Sequence, residues 1–455
     1  MTEQMISEID AASAWEPWVP DEQSPWDTAA AAHLFRRAGF GATADELQEA
    51  VRKSPAEVIE QLVSGVEDST WQQQMNTLAD SAVATGNVRQ LSAWWAYRML
   101  TTPVHLIEKM TLFWHGHFAT SAAKVQDAEL MLQQNQLLRT HALGDFSALV
   151  QEISRDPAML LYLDSATNRK AHPNENYARE IMELFCLGEG NYTETDIREL
   201  ARCFTGWEVR RERFRFNAYQ HDSGEKTILG QTGRFSGEDG VRIVVAQPTA
   251  PEFLVSKLIR YFLFDEPAAS PQLIAPLADL MRNSGMQIAP VIRRMLGSRL
   301  FFSPWSRARK IRSPVELSIG FLRTLQGSVN TFELADHLEA LGQGLLYPPS
   351  VKGWDGGRTW INSSTLLGRS NLIRHLLEDD RTRFNRQPIE EYLSSSGAKT
   401  GEQIVNFLEP LLFAVSLSDP TKQRIAKLIN GGGNRRQNII DGIHALCTLP
   451  EFQLA

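Results

Sequence analysis

Four polar segments of the chain carry residue types that could do chemistry, and the first holds two histidines. His115 and His117 are separated by one residue, which on a helix places the two imidazoles about 200° apart. They can share a metal ion only if the helix breaks at Gly116, and a metal needs three or four ligands. The alternative is a pair of hydrogen-bonded histidines at a helix end. Both stay candidate catalytic residues, and Glu108 lies two turns before His115 on the same face.

The second segment is a cluster of amide and carboxylate side chains between residues 164 and 183. Closely spaced oxygen ligands before a helix start are typical of a site for a hard cation such as Ca²⁺ or Mg²⁺. The alternative is a capped, hydrogen-bonded loop in which Asn174 begins the next helix, and the sequence leaves both open. Glu180 is a candidate acid or base, and the candidate metal ligands are Asp164, Asn168, Asn174, Glu175 and Asn176.

The third segment, residues 221–227, resembles half of a phosphate-binding loop. Tyr219 stands where the first glycine of that motif belongs. One interpretation is a turn that joins two strands. In the other, His221 and Asp222 take part in acid–base catalysis and Lys226 anchors an anion of the substrate.

The fourth segment is a loop rich in Gly, Pro and Trp at residues 348–362, called here the tryptophan loop. Aromatic rings beside planar polar groups are common in carbohydrate sites. The alternative is a structural loop with buried tryptophans, although long irregular loops in helical domains are more often functional. The candidate substrate-binding residues are Lys226 of the third segment and, in this loop, Trp354, Asp355, Arg358, Trp360 and Asn362, with Lys352 beside them.

The composition excludes several function classes. The 455 residues carry a net charge of −8 and no dense run of Lys and Arg, which disfavours nucleic-acid binding. No apolar run reaches the length of a membrane span, so integral membrane association is not expected. The acidic N-terminal segment lacks the features of a signal peptide, which favours a cytoplasmic location. The motifs of zinc proteases, serine hydrolases and nucleotide-binding loops are absent.

The elements that must position the four segments are mostly helices. Apolar residues recur at helical spacing, which predicts a mainly α fold: a large helical domain with a small β-hairpin insertion and an irregular Gly/Trp-rich loop. Asp222-Ser223-Gly224 lies between the two runs of the expected hairpin or small sheet. The predicted parts are an extended Trp/Pro-rich arm at 1–27, a helical core at 28–206, the insertion at 207–248, the second part of the core at 249–386, and a small helical appendage at 387–455.

Several strings together resemble the DUF1800 family of bacterial proteins of unknown function. They are HLFRRAGFG from His33, EKMTLFWHGHF from Glu108, the long block from Leu163 to Trp207, HDSGEKTILG from His221 and PPSVKGWDGGRTWIN from Pro348. One departure is Ala171, where the resemblance leads us to expect glycine. Genes of this family commonly lie beside those of the DUF1501 family, whose members look like sulfatase or phosphatase relatives. The resemblance therefore implies a DUF1501-type partner, and export bound to a signal-bearing partner is the alternative location.

Two functions remain open at this point. In the first, the four segments surround one cleft of an enzyme, where carboxylates or a divalent cation act on a polar or glycan-like substrate. In the second, the protein is a non-catalytic binding or accessory protein for a DUF1501-type protein, and its tryptophans supply the contact surface. If the segments meet in one concave site, the enzyme hypothesis gains support, and if they scatter as separate hydrogen-bonded corners, the accessory-protein hypothesis gains it.

Overall fold

A computed structural model describes residues 11–455. The fold is mainly α, as the periodicity predicts, and its strands form only two-stranded sheets within the described residues. The beginning of the predicted arm, residues 1–10, lies outside the described part. No helix among residues 11–455 is long and apolar enough to cross a membrane.

The helices up to residue 203 build the first half of the body. They begin and end as follows: Ala11–Ala14, Thr28–Ala38, Ala44–Ala50, Pro55–Val63, Ser69–Ala84, Val88–Thr101, His105–His117, Ala122–Val125, Ala128–Thr140, Phe146–Arg155, Pro157–Tyr162, Asn176–Glu180, a π-helical turn Ile181–Cys186, and Glu194–Cys203. Short 3₁₀ turns lie at Ser165–Thr167 and Ala218–Gln220.

The second half is built in the same way after the strands. Its helices are Gly237–Val245, Thr249–Phe262, Pro271–Asn283, Ile288–Leu296, Arg299–Phe302, Pro314–Thr324, Thr331–Ala340, Ser363–Glu378, Ile389–Ser395, Gly401–Leu412, Asp419–Ile429 and Arg435–Cys447, with 3₁₀ turns at Gly357–Trp360 and Pro450–Gln453. The segment from Val241 is helical, as part of the helix Gly237–Val245.

Two hairpins, rather than one, follow residue 206. Trp207–Arg210 pairs with Arg213–Phe216, and Lys226–Ile228 pairs with Gln231–Gly233. Asp222-Ser223-Gly224 therefore lies in the connection between the hairpins and is not the turn of either. A third small pair, Gly327–Ser328 with Arg383–Phe384, lies elsewhere.

The tryptophans of the arm pack on the body. Trp15 donates its indole N–H to the Leu273 carbonyl at 2.8 Å, and the Trp18 ring stacks on Phe302 with centroids 4.0 Å apart. Trp26 reaches the Ala50 carbonyl at 3.3 Å. The arm is not extended throughout, because Ala11–Ala14 forms a helical turn.

The helix His105–His117 runs through the centre of the body. It contacts the helices Thr28–Ala38, Pro55–Val63 and Ala128–Thr140, and all of its residues except Ile107 and Gly116 are buried. A helix buried on every side must satisfy its polar side chains internally. Its polar residues are therefore structural unless they face a cavity.

The three cysteines, Cys186, Cys203 and Cys447, are buried free thiols. Burial raises the pKa of Cys186 and of Cys447 above the usual thiol range, and that of Cys203 to about 12. A buried protonated thiol is inert as a nucleophile.

Candidate functional site

The C-terminal end of the central helix places His117 beside a second helix. His117 Nε2 lies 2.9 Å from the Phe185 carbonyl oxygen, so Nε2 carries the ring proton. Nδ1 is then an acceptor, and it lies 3.3 Å from Lys257 Nζ. Burial, followed by the charge of Lys257, lowers the pKa of His117 well below its usual value. The imidazole is therefore neutral, with its tautomer set by a backbone carbonyl.

A π-helical turn supplies the carbonyls that hold this pair. The turn Ile181–Cys186 ends its helix, and the last carbonyls of a helix have no amide partner within it. The Phe185 carbonyl accepts a hydrogen bond from His117 Nε2, and the Leu184 carbonyl accepts one from Lys257 Nζ at 2.8 Å. π-helical turns are rare and are frequent at functional sites.

Lys257 and His117 line a cleft of about 230 Å³, called here the central cleft. Its walls come from the end of the central helix, the helix Thr249–Phe262, the segment 310–316 and the tryptophan loop. The side chains most relevant to binding are Lys257, Arg260, Tyr261, Asp265, Lys310, Glu316, Lys352, Trp354, Asp355 and Trp360.

The charges of the central cleft divide into paired and unpaired groups. Lys310 Nζ lies 3.0 Å from Asp265 Oδ1, and Glu316 pairs with Lys109. Among residues 11–455, no carboxylate forms an ion pair with the other three cations, Lys257, Arg260 and Lys352. Asp355 is the remaining carboxylate of the wall, and it is exposed. The cleft therefore holds an excess of positive charge.

The tryptophan loop docks directly on the end of the central helix. Gly353 has φ +74°, and a Cβ atom built there would lie 2.1 Å from the Gly116 carbonyl oxygen. No residue with a side chain fits this approach. The neighbouring Trp354 ring then covers His115, with ring centroids 5.6 Å apart. The Gly353–Gly116 contact is thus what closes this wall of the cleft.

The other candidate residues of the loop differ in their position relative to the cleft. Trp360 is buried and lines the cleft, whereas Asp355 is exposed at its edge. Arg358 points away and pairs with Glu266 at 2.6 Å. Asn362 accepts from the Thr365 amide as the N-cap of the helix Ser363–Glu378.

His115 does not join His117. The helix continues through Gly116 to His117, so the two rings diverge as helical spacing requires. His115 packs edge-on against Trp95 at 5.2 Å, and burial lowers its pKa to about 3. The two histidines therefore do not form one metal site.

Glu108, which lies on the same face of the helix as His115, belongs to a buried ion-pair network. Its carboxylate accepts from Arg98 Nε at 2.6 Å, from Arg139 Nε at 2.5 Å and from the Trp95 indole at 3.1 Å. Burial alone would raise the pKa of Glu108, but the two arginines outweigh it and lower the pKa to about 2. This carboxylate is a structural centre of the helical body.

The side chains of the 164–176 cluster bind the protein itself. Asn168 donates to the Ala201 carbonyl at 2.9 Å and accepts from the Asn174 amide at 2.9 Å. Asn176 donates to the Leu163 carbonyl at 3.1 Å, and Asn174 accepts from the Asn176 amide at 2.9 Å. Asp164 pairs with Lys124 at 2.7 Å. The arrangement is that of the capped, hydrogen-bonded loop.

Glu175 and Glu180 complete that segment. Glu175 forms an ion pair with Arg179 at 3.5 Å on the helix surface. Glu180 is half-buried, and its pKa is raised by burial and by Glu183, with Lys352 opposing the shift. Lys352 lies in the wall of the central cleft, so Glu180 interacts electrostatically with a cation of that wall.

The third segment forms a separate hydrogen-bonded corner and does not line the central cleft. His221 Nδ1 donates to the Thr205 carbonyl at 2.9 Å, and Asp222 pairs with Arg202 at 2.7 Å. Lys226 Nζ donates to three backbone carbonyls, those of Asp222, Gly224 and Phe235. All three N–H groups of its ammonium are thus taken, which leaves none for an anionic substrate.

One group of possible metal ligands appears elsewhere in the described residues. Glu333, His375 and Asp379 bring one ligand atom each within 4.8 Å of one another. Arg381 already pairs with both carboxylates, at 2.7 Å to Glu333 and 3.1 Å to Asp379. A guanidinium at this position opposes a second cation, so the group is a mixed ion-pair cluster on the surface.

Sequence reasoning missed Lys257 and Arg260. Both lie in a helix that the sequence identifies by its apolar face, Phe253, Leu254, Leu258 and Tyr261. Cations on a helix are ordinarily solvated, and nothing in the spacing marks these two. Only the packing of this helix against the turn Ile181–Cys186 brings Lys257 to His117.

Comparison with known families gives one match. The family model described as "Protein of unknown function (DUF1800)" matches residues 33–454, nearly the whole chain. No curated protein and no solved structure matches the chain.

Proposed function

The chain belongs to the DUF1800 family, whose function is unknown, and we propose that it is an enzyme that acts on a small acidic molecule with a ring, such as an acidic sugar. The observation that carries this proposal is the set of three cations without ion pairs, Lys257, Arg260 and Lys352, beside two tryptophans in the central cleft.

The charge excess supports an anionic ligand. Removing a cation from water without a counter-charge costs free energy, and an anion with good hydrogen-bond geometry offsets that cost. This argument applies to Lys257, which is half-buried and whose hydrogen-bond partners among residues 11–455 are a carbonyl and a neutral imidazole, whereas Arg260 and Lys352 are exposed to solvent. A carboxylate, sulfate or phosphate on the ligand would supply the missing negative charge.

The shape of the cleft supports a small ring. Pockets for drug-sized ligands have volumes of about 300–1,000 Å³, whereas this cleft encloses about 230 Å³. Trp354 and Trp360 line it. The faces of sugar rings pack on such aromatic surfaces, and the hydroxyl groups can meet the polar wall at Tyr261 and Asp355.

Acid–base chemistry would run through Lys257. Burial lowers the pKa of this amine to about 8, with Arg260 adding to the shift and Cys186 opposing it. A group with a pKa near the working pH is suited to take up and release a proton. His117 positions the amine and keeps one N–H of Lys257 directed at Nδ1.

The test is a binding titration followed by tryptophan fluorescence, with glucuronate as the acidic sugar and glucose as its neutral counterpart. We expect glucuronate to bind and glucose not to bind. Lys352→Met should weaken glucuronate about tenfold, because one charge-assisted contact is lost. Arg358→Met is the matched control, since Arg358 lies in the same loop but pairs with Glu266 outside the cleft.

Catalysis is tested by proton NMR in D₂O. We expect the protein to exchange the hydrogen on the carbon beside the carboxylate, and Lys257→Arg to stop the exchange while glucuronate still binds. Equal binding of glucose and glucuronate would contradict the proposal, as would loss of binding in Arg358→Met equal to that in Lys352→Met.

The accessory-protein hypothesis stays a prediction. The arm tryptophans expected to form its contact surface are packed against the body at Leu273, Phe302 and Ala50. A DUF1501-type partner, a bound divalent cation and the location of the protein are likewise open proposals.

A further inference from the structure

Lys257 has a hydrogen-bond arrangement that fits a neutral amine. Its Nζ lies 2.8 Å from the Leu184 carbonyl oxygen and 3.3 Å from His117 Nδ1. A neutral amine has two N–H groups and one lone pair, and these two acceptors match the two N–H groups. An ammonium has a third N–H, which donates to no protein group among residues 11–455; since Lys257 is half-buried in the lining of the cleft, that N–H is left to solvent or a ligand.

The acceptors are fixed by the fold. The Phe185 carbonyl holds the proton of His117 on Nε2, so Nδ1 can only accept from Lys257. Leu184 belongs to the same helical end as Phe185. The backbone at residues 184–185 therefore fixes both acceptors of Lys257: the Leu184 carbonyl directly, and His117 Nδ1 through the Phe185 carbonyl that holds the imidazole. The third position on Nζ, which is the lone pair of a neutral amine, forms no hydrogen bond with residues 11–455.

The charged and titratable groups around Lys257 decide which form prevails. The Phe253 ring, 4.4 Å from Nζ, favours the ammonium. Burial and the charge of Arg260 oppose it, His117 is neutral, and the buried Cys186 thiol is protonated. The pKa of Lys257 falls to about 8, so the ammonium still prevails at pH 7, and roughly a tenth of the side chain is the neutral, reactive amine.

We propose that Lys257 is a nucleophile that forms an imine with a small anionic aldehyde or ketone in the central cleft. The inference rests on the proposed function, since it uses the same cleft and names the reactive group of the substrate. It extends the role of Lys257 from proton transfer to a covalent bond.

The reaction balances with the groups at hand. The Nζ lone pair attacks the carbonyl carbon and forms the C–N bond. The π electron pair of the carbonyl moves to the oxygen, which takes a proton from the amine and becomes a hydroxyl. The product of this step is a carbinolamine. Loss of that hydroxyl as water, with the remaining N–H proton, leaves the C=N bond. Amine and carbonyl thus give imine and water, without an oxidant or reductant.

The surrounding charges select the class of carbonyl compound. Arg260 and Lys352 line the same cleft as Lys257, so an acid group near the carbonyl has a cation available to it. Oxo acids have this arrangement, and so do the open-chain forms of acidic sugars. Trp354 provides the apolar face for the remainder of the molecule.

The experiment traps the imine on the full chain. Glyoxylate is added at pH 7, sodium borohydride reduces any imine to a stable secondary amine, and peptide mass spectrometry locates the modified lysine. At this pH a lysine with pKa about 8 has roughly 300-fold more neutral amine than one with the usual pKa of 10.5. We expect Lys257 to be modified at least tenfold more than exposed lysines.

Two further measurements separate a nucleophile from a merely accessible lysine. The modification of Lys257 should level off above about pH 8, whereas that of surface lysines keeps rising with pH. Lys257→Arg keeps the positive charge and should lose the adduct while still binding glucuronate. Lys422→Arg is the matched control, since Lys422 pairs with Glu409 at 2.7 Å, and it should leave the adduct on Lys257 unchanged.

The outcomes distinguish the two proposals. If glucuronate binds but glyoxylate modifies Lys257 no more than surface lysines, the imine is refuted and the anion-binding cleft stands. If Lys257 is modified selectively but no acidic sugar binds, the nucleophile stands and the sugar assignment is refuted. If neither occurs, both proposals are overturned.

Discussion

Substitution of Gly353 by alanine should open the central cleft without touching any charged group. A residue other than glycine at φ +74° costs about 1–2 kcal/mol. The added Cβ would lie 2.1 Å from the Gly116 carbonyl oxygen, and relieving such an overlap costs about 1–3 kcal/mol. We therefore expect Gly353→Ala to destabilise the protein by about 2–5 kcal/mol, and to weaken glucuronate binding.

The tryptophan loop and the central helix provide two controls for this substitution. Gly356 has a similar φ of +71°, but the nearest atom to its Cβ is Trp360 Nε1 at 3.9 Å. Gly356→Ala should therefore show only the backbone cost, about 1–3 kcal/mol at its φ of +71° and ψ of −172°. A Cβ on Gly116 meets Trp354 at 3.8 Å, an ordinary contact, so Gly116→Ala should be tolerated.

The assay is urea unfolding of the native protein and the three variants, with the midpoint and slope compared. A larger loss of stability in Gly353→Ala than in Gly356→Ala reports the contact with Gly116, since both residues have a positive φ but only the Cβ at position 353 meets a backbone atom. Equal stabilities for these two variants would refute the docking of the loop on the helix. The wall of the cleft would then need another explanation.

Three further predictions concern the buried acids and the divalent cation. Glu108→Gln should destabilise the protein by about 3–5 kcal/mol, because two buried arginines lose their counter-charge. In the native protein the pKa of Glu108 is lowered to about 2, so its ionised carboxylate stabilises the fold above pH 4.5. This stabilisation is lost as the pH falls from 4.5 to 2. Acid unfolding curves of the native protein and of Glu108→Gln test this prediction. Burial raises the pKa of Asp156 to about 7, so stability should fall as the pH rises from 3.8 to 7, and thermal unfolding of Asp156→Asn should lack that decline. Millimolar Ca²⁺ or Mg²⁺ should not shift the unfolding temperature of the native protein or of the double variant Asp164→Ala with Glu175→Ala. The reason is that protein groups already form hydrogen bonds with the amide side chains of that loop. A shift in the native protein alone would support the cation-site hypothesis instead.

The sequence predicted the elements better than the contacts between them. The capping box of Thr43 and Glu46 is present, because it depends on residues three positions apart. The two-hairpin arrangement after Trp207 was missed, since Arg211 and Glu212 form a left-handed turn that glycine or asparagine would have marked. Sequence rules therefore predicted structure correctly where the interaction joins residues a few positions apart.

The candidate site was half predictable for the same reason. Trp354 and Trp360 stand out in a loop of unusual composition, and the helical spacing of His115 and His117 correctly separates their rings. Lys257 acquires its surroundings from a helical end about seventy residues earlier in the chain. No periodicity or motif encodes such a contact, so only the folded structure reveals it.

The two roles proposed for Lys257 predict opposite proton changes. An anion near Nζ stabilises the ammonium and raises its pKa from about 8, so binding of glucuronate near pH 8 should take up a fraction of a proton. Formation of a neutral imine from the same mixture of ammonium and amine must release a proton, because the imine nitrogen keeps none. Calorimetric titrations in buffers of different ionisation enthalpy measure this sign directly. Proton uptake with glucuronate and release with glyoxylate, both lost in Lys257→Met, would place both events on one nitrogen. Uptake with both ligands would assign Lys257 to charge recognition alone and would count against the imine.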